Sequence, residues 1–518
     1  HTRGSFSFAD AYDGGMINHF HPNSTMNFDE ACDKAGIPII SHETGQFQTY
    51  PDYREMKKYT GVLHPYNFEV FRRRLAAAGM LSQADDFHKA SGLWSVKLYK
   101  ADIEMDLRTR NMAGFQLLDI QDYPGQGSAF VGILDAFMES KGITTPEEWR
   151  QWCSPVVPLL EMKKFCFEDG EKIQAKVKVA NYGGSSLKGK KLKWHLVAEN
   201  GLFCMDDGTF STKDGEVRKN VGDLMAEDEG VLNIFSYDEG LVDVGELNGV
   251  FHVQKPTKLL LTLNIEGTEA RNSYELWVYP KKVLEKKGVI IARDLNQEVV
   301  KVLEKGGKVL WMPTASNHFV AADDTLSQAD NSVLQADNTL SQADNATPYT
   351  VGGLFQTDYW NYRMFKTICE NNKKKVSPGT LGILTNPEHP IFKGFPTEMH
   401  TNWQWFPVIK ESHPLVLDNF AKDYRPIVQV IDNIERNHKL GLVMEWKVGA
   451  GKLLVCMSDL EKAAKYPEGK AFYQSVIDYM RSVDFNPQVE MTASDLLKTL
   501  KEEPRKVSLK ELNNISQY

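Results

Sequence analysis

The stretch Ile37-Pro38-Ile39-Ile40-Ser41-His42-Glu43-Thr44-Gly45-Gln46 decides how the rest of the chain is read. Its apolar run, Ile37 to Ile40, breaks into Ser41, His42 and Glu43 and soon reaches a glycine. A continuous apolar run closed by a glycine turn reads as a strand buried on both faces, as in a parallel sheet. The carboxyl end of that strand presents Glu43 at the rim of the sheet, where the catalytic groups of (β/α)8 barrels sit. Strand-end glutamates are more often solvated or cap a helix, so Glu43 is a candidate catalytic carboxylate that needs support from elsewhere.

Downstream, Gln46 to Tyr53 is an aromatic and polar loop, and Tyr66 to Ala78 reads as a helix ending near Gly79. A longer helix is expected from Gln83 to Arg108, because Val96, Tyr99, Ile103 and Leu107 recur at helical spacing. Gly114-Phe115-Gln116-Leu117-Leu118-Asp119-Ile120-Gln121-Asp122 then reads as a second buried strand with a polar end. The order strand, loop, two helices, strand implies parallel strands. The loop from Gln121 to Ser128 then falls on the same rim as Glu43. Upstream, residues 1–36 are rich in glycine, histidine, asparagine and aromatics, notably Asn18-His19-Phe20-His21-Pro22-Asn23. Such a loop suits a sugar site or is an ordinary surface loop. His19 and His21 have the spacing of two metal ligands, but no third ligand stands at a usable distance in sequence, so no metal site is read.

Residues 139–160 form a linker with a short helix, Pro146 to Cys153, and a proline-rich exit. From 161 to 280 apolar residues alternate: Ile173, Ala175, Val177 and Val179, then Leu192, Trp194 and Leu196, then Leu259, Leu261, Leu263 and Ile265. Period-two strands between turn signals indicate an immunoglobulin-like sandwich. From 281 to 487 strands and helices alternate again, which suggests a doubly wound, flavodoxin-like sheet. Cys456 lies in Leu453-Leu454-Val455-Cys456-Met457, without the glycines of a nucleophile elbow, so this part reads as non-catalytic. Trp403 and Trp405 either stack on sugar or belong to a core. Three heptads, TLSQADN, SVLQADN and TLSQADN, fill residues 325–345 of an insert at 322–346. They carry too few apolar residues for a coiled coil, and their Asn and Asp disfavour a long helix. The expected domains are 1–155, 156–282, 283–487 and a charged helical tail, 488–518.

A net charge of −9 over 518 residues argues against a nucleic-acid backbone as the main partner. No apolar run approaches the length of a membrane span. The six cysteines form no C-x-x-C pair, so neither a zinc site nor a disulfide framework is expected. The opening His1-Thr2-Arg3, without an initiator methionine or a signal pattern, suggests a processed or partial chain.

Ile39 to Glu43 followed by Gly114 to Asp122 resembles the last two barrel strands of glycoside hydrolase family 2, the β-galactosidases and β-glucuronidases. The resemblance covers residues 1–155 as the C-terminal part of a TIM (β/α)8 barrel, and extends to the sandwich after it. It implies a retaining hydrolase of β-linked sugars in polysaccharide fragments, with Glu43 as nucleophile. It also implies that His19, His21, His42, Gln46, Asp119 and Asp122 shape the sugar site, and that no cofactor is required. β-Galactosidase is the default specificity and β-glucuronidase the alternative. Leu118 stands where the family commonly has tryptophan. The family's acid/base is a glutamate after asparagine on an earlier strand. No Asn-Glu pair occurs in residues 1–42, so that residue is expected upstream of this chain. The third part is similar to amidotransferase-like domains attached to some β-galactosidases. A periplasmic or extracellular location is implied by the resemblance alone. The competing expectation is a non-catalytic carbohydrate-binding or assembly fragment of a larger glycosidase. In it a half-barrel with open sheet edges is completed by other strands, and the later domains serve contacts in a homo-oligomer.

Overall fold

The computed structural model describes residues 2–3, 15–123, 128–206, 227–235, 239–313, 320–321, 348–358, 362–374 and 376–506. The heptads at 325–345 lie outside these residues. The first sheet is β1 (Thr2–Arg3), β2 (Ile39–Thr44) and β3 (Met112–Leu117), all parallel and in that order. Helix α1 (Asp29–Ala35) precedes β2, while α2 (Tyr66–Ala77) and α3 (Ala84–Leu107) cross from β2 to β3. The expectation that β2 is buried on both faces needs correction. Ile39 and Ser41 are buried, but Ile40 is 46% exposed and Ile37, just before the strand, is 66% exposed. Among the described residues, helix α3 covers one face of this sheet and the other is open.

The second body is a pair of sheets built from β4 (Val156–Met162), β5 (Cys166–Glu168), β6 (Lys172–Asn181), β7 (Lys191–Ala198), β8 (Phe203–Asp206), β9 (Glu227–Asn233), β10 (Gly240–Val253), β11 (Thr257–Ile265) and β12 (Arg271–Tyr279). Their orders are β4-β6-β10-β8 and β5-β12-β11-β7-β9. The alternating residues Ile173, Ala175, Val177 and Val179 of β6, and Leu259, Leu261, Leu263 and Ile265 of β11, are buried, as two face-to-face sheets require.

The third body holds one ten-stranded sheet. Its strands are β13 (Ile290–Ala292), β14 (Lys308–Trp311), β15 (Val320–Ala321), β16 (Tyr349–Thr350), β17 (Ile383–Thr385), β18 (Leu415–Val416), β19 (Val428–Ile431), β20 (Lys439–Val448), β21 (Gly451–Cys456) and β22 (Glu490–Met491). Strands β13, β14 and β21 are mutually parallel, but β20 runs antiparallel to β18, β19 and β21. The sheet is therefore mixed, where a flavodoxin-like sheet is doubly wound and parallel. The reason lies in one turn: Val448 pairs with Gly451, so Gly449 and Ala450 alone connect β20 to β21. A parallel connection needs a crossover of a dozen or more residues. Helix α4 (Pro467–Arg481) packs Phe472, Tyr473, Val476 and Ile477 into the core of this body.

All three bodies meet on α3. Its 24 residues span about 36 Å, and its centre is apolar on nearly all sides because it has neighbours on nearly all sides. The Trp94 indole N–H donates to the Phe355 carbonyl of the third body at 3.0 Å. Lys100, Glu104 and Arg108 face the second body, where Asn272 donates to Glu104 at 2.8 Å and the Tyr274 hydroxyl donates to it at 3.1 Å. Trp403 packs on Trp94 and Phe165, and Trp405 is buried against Phe395 and Phe472, so both belong to the core. No helix among the described residues is long and apolar enough to cross a membrane.

Candidate functional site

The end of β2 is shaped by what lies beneath it. The Gly45 amide donates to the Asp102 carboxylate of α3 at 2.9 Å. Gly45 has φ +95°, and a Cβ there would stand 2.0 Å from the Tyr99 ring. The chain can turn this tightly over α3 only because residue 45 has no side chain. Ser41 and Thr44 share a hydroxyl hydrogen bond of 2.8 Å on the buried side. Glu43 and Gln46 both have left-handed backbones, φ 58° and 68°, a conformation that costs a residue with a Cβ on the order of 1 kcal/mol.

This geometry leaves the Glu43 carboxylate partly open, with its side chain 22% exposed. The Gln46 amide donates to the Glu43 carbonyl at 2.9 Å and lies 3.5 Å from its Oε2. His42 Nε2 is 3.6 Å from Glu43 Oε1, an electrostatic contact beyond hydrogen-bond length. Across the sheet, His42 Nδ1 is 2.8 Å from Gln116 Oε1 of β3, so the ring donates there. Asp119 follows β3, joined to Leu118 by a cis peptide. Burial, and then the charge of Glu43, push its carboxyl above the usual range. Glu43, His42, Gln46 and Asp119 thus share one rim.

The other sequence-derived residues have different surroundings. Asp122 lies inside the wall, 2% exposed. Lys141 donates to it at 2.6 Å and the Gly132 amide at 2.9 Å. Burial raises its carboxyl to about 6 against the pull of Lys141. That carboxylate anchors the rim loop from within. His21 stands 2.6 Å from Glu468 of α4 and stacks on Tyr466, a joint between the first and third bodies. His19 is exposed.

Several residues escaped the sequence reading. The sequence marks Tyr99 only as a core position of α3 and leaves Asp102 unmarked, yet both shape the turn, and their i, i+3 spacing on one helix face is the available signal. The third body also reaches the rim. The Gln356 side chain accepts from the Ile17 amide at 3.2 Å, Asn18 accepts from the Phe355 amide at 3.0 Å, and the Gln48 amide donates to the Asp358 carbonyl at 3.2 Å. Nothing local in the sequence of 355–358 marks this role. Cys456 is fully buried and burial pushes its thiol up to about 12, the opposite of an activated nucleophile.

Comparison with known proteins gives partial matches. Residues 320–501 match a family model described as a domain of unknown function, DUF8487, and residues 228–280 match another, DUF8488. No curated protein matches. Among solved structures, a conjugative transposon lipoprotein from Bacteroides eggerthii is 10% identical, covers 24% of this chain and 96% of its own, and has a TM-score of 0.17. A cohesin module from a Clostridium perfringens family 33 glycoside hydrolase is also 10% identical over 24% of this chain and 96% of its own, with a TM-score of 0.16. A family 123 glycoside hydrolase from Clostridium perfringens is 7% identical over 29% of this chain and 32% of its own, with a TM-score of 0.13. Likenesses of this size bear on neither fold nor function.

Proposed function

We propose that this chain carries the nucleophile of a retaining glycoside hydrolase acting on β-linked sugars of polysaccharide fragments, β-galactosidase-like in specificity. One observation carries the reading: Glu43 stands half-open at the carboxyl end of a parallel strand, on a left-handed backbone, beside Asp119 from the end of the neighbouring parallel strand. In a retaining mechanism one carboxylate attacks the anomeric carbon and a second carboxyl protonates the leaving oxygen. Glu43 takes the first role. Asp119, its carboxyl shifted toward the protonated form, holds a sugar hydroxyl, and His42 and Gln46 orient Glu43. The general acid comes from polypeptide outside these residues, as the family 2 resemblance implies, and the site of action is the periplasm or the extracellular space. The test is labelling with 2-fluoro-glycosyl inhibitors followed by peptide mapping. A 2-fluoro-galactoside adduct on Glu43 supports the reading. An adduct elsewhere removes Glu43 from the mechanism, and a preference for the glucuronide changes the sugar.

A second reading has an observation of its own. Parallel sheets are normally covered on both faces, yet Ile40 of β2 is exposed, as are Ile37 just before β2 and Ile120 just after β3. On this reading the chain is an assembly or binding fragment whose sheet is completed by other strands. Absence of any covalent adduct, together with a native mass above that of the chain, would favour it.

A further inference from the structure

A groove of about 720 Å³ opens between the start of α3 and the third body, within the usual range for small-ligand sites. Its floor holds an amide pair: Gln83 Nε2 donates to Gln429 Oε1 at 2.8 Å, and Gln429 is 2% exposed. Leu384, Met399, Pro426 and Ile427 give it apolar walls, and Asn386 and Gln488 bring further carboxamides. The Asn386 Oδ1 accepts from the Glu388 amide at 3.2 Å and the Gln488 Nε2 donates to the Asn486 carbonyl at 2.6 Å, so the first offers a ligand its amide donors and the second its carbonyl oxygen.

The charged groups here are poorly placed to hold an anion. The Arg425 guanidinium is turned into the carbonyls of Lys422, Tyr424 and Gly79 at 2.7–3.0 Å. Asp86 and Asp423 are exposed at the mouth. The Glu445 carboxylate accepts from the Tyr479 hydroxyl at 2.7 Å, and burial moves it toward the neutral form. His389 accepts from the Ile391 amide through Nδ1 at 3.3 Å, and burial keeps the ring neutral, so its proton sits on Nε2 as a donor. The groove therefore offers uncharged donors and acceptors beside apolar surface, with negative charge only at its edge. Hydroxyl groups and the C–H faces of sugar rings match both features.

We propose that this groove binds a neutral oligosaccharide. It is separate from Glu43. Gly45 meets α3 at Tyr99 and Asp102, and Gln83 lies a further 16 residues toward the helix start, about 24 Å along its axis. The proposal does not depend on Glu43 being a nucleophile.

The test uses the whole chain carrying Glu43→Gln, which suppresses turnover on the hydrolase reading and is neutral on any other. Saturation-transfer NMR and calorimetry measure binding of galactotetraose, cellotetraose and, as an acidic control, tetragalacturonate. The expected result is binding of a neutral tetrasaccharide at millimolar concentration, weakened about tenfold or more by the paired surface substitutions Asn386→Ala and Gln488→Ala. No binding of either neutral sugar, undiminished binding by the double variant, or preference for the uronate would each overturn it. Circular dichroism of the double variant confirms that a loss of binding is not a loss of fold.

Discussion

Glu43 is held against the preference of its own backbone, and its carboxylate sits where two strand ends converge. On the hydrolase reading, Glu43→Gln lowers turnover of a dinitrophenyl glycoside, whose leaving group needs no general acid, by about 10⁴-fold or more while leaving the thermal midpoint unmoved. Steady-state kinetics beside a melting curve checks both halves. A different residue contributes to the response to pH, alongside the raised carboxyls of Glu55 and Asp122. Glu435 is buried, and burial raises its carboxyl to about 7 although Arg363, Arg74 and Arg436 pull it down. Its unfolded value is about 4.3. Between those values the folded chain binds more protons than the unfolded one, so stability falls as pH rises through the window. At pH 8 the cost is on the order of 3 kcal/mol. Glu435→Gln therefore melts above the parent at pH 8, and the gap closes as the pH is lowered toward 4. Calorimetry at several pH values checks this. Glu43 and Asp119 were legible because each ends an apolar run. Glu435 was not, because Arg74 and Arg363 come from distant segments.

At the scale of elements, local signals served well where they were long. The helix expected from Gln83 to Arg108 is Ala84–Leu107, and the period-two runs of 161–280 fall in strands. They served poorly where burial hid direction. Strands β20 and β21 are almost wholly buried, and a run buried on both faces looks the same whether its neighbour is parallel or antiparallel. The length of the Gly449-Ala450 turn held the information instead. Two-residue strands such as β16 and β18 show no periodicity at all. The turn after β2 gives a sharper test. Gly45→Ala places a Cβ against Tyr99 on a backbone with φ +95°. It should cost about 3 kcal/mol, from overpacking and an unfavourable φ together. It should also cut the rate of inhibitor labelling at Glu43, because relief requires the strand end to move. A melting curve and a labelling time course measure the two effects separately.

On the scale of the whole molecule, α3 is a shared spine rather than the property of one domain. Lys100 and Arg108 flank Glu104 on it, and the second body supplies Asn272 and Tyr274 to the same cluster. Burial opposes ionisation of Glu104, but the two cations hold its carboxyl below the usual range. The third body ties in through Trp94 to Phe355, Arg74 to the Glu435 carbonyl at 2.7 Å, and the Tyr50 hydroxyl to Asn437 at 2.7 Å. It also meets the second body directly, where Lys258 bridges Glu275 and Glu398. Interfaces this buried and this polar leave unpaired groups on both sides if they part, so the bodies should unfold together. Glu104→Ala tests the coupling. Removing the one anion between two largely buried cations should cost about 3–5 kcal/mol. If α3 couples the bodies, scanning calorimetry of the variant shows one transition displaced to lower temperature across the whole chain. If they unfold independently, the peak splits, and the portion belonging to the third body, none of whose described residues makes a hydrogen bond or ion pair with Glu104, stays where it was in the parent.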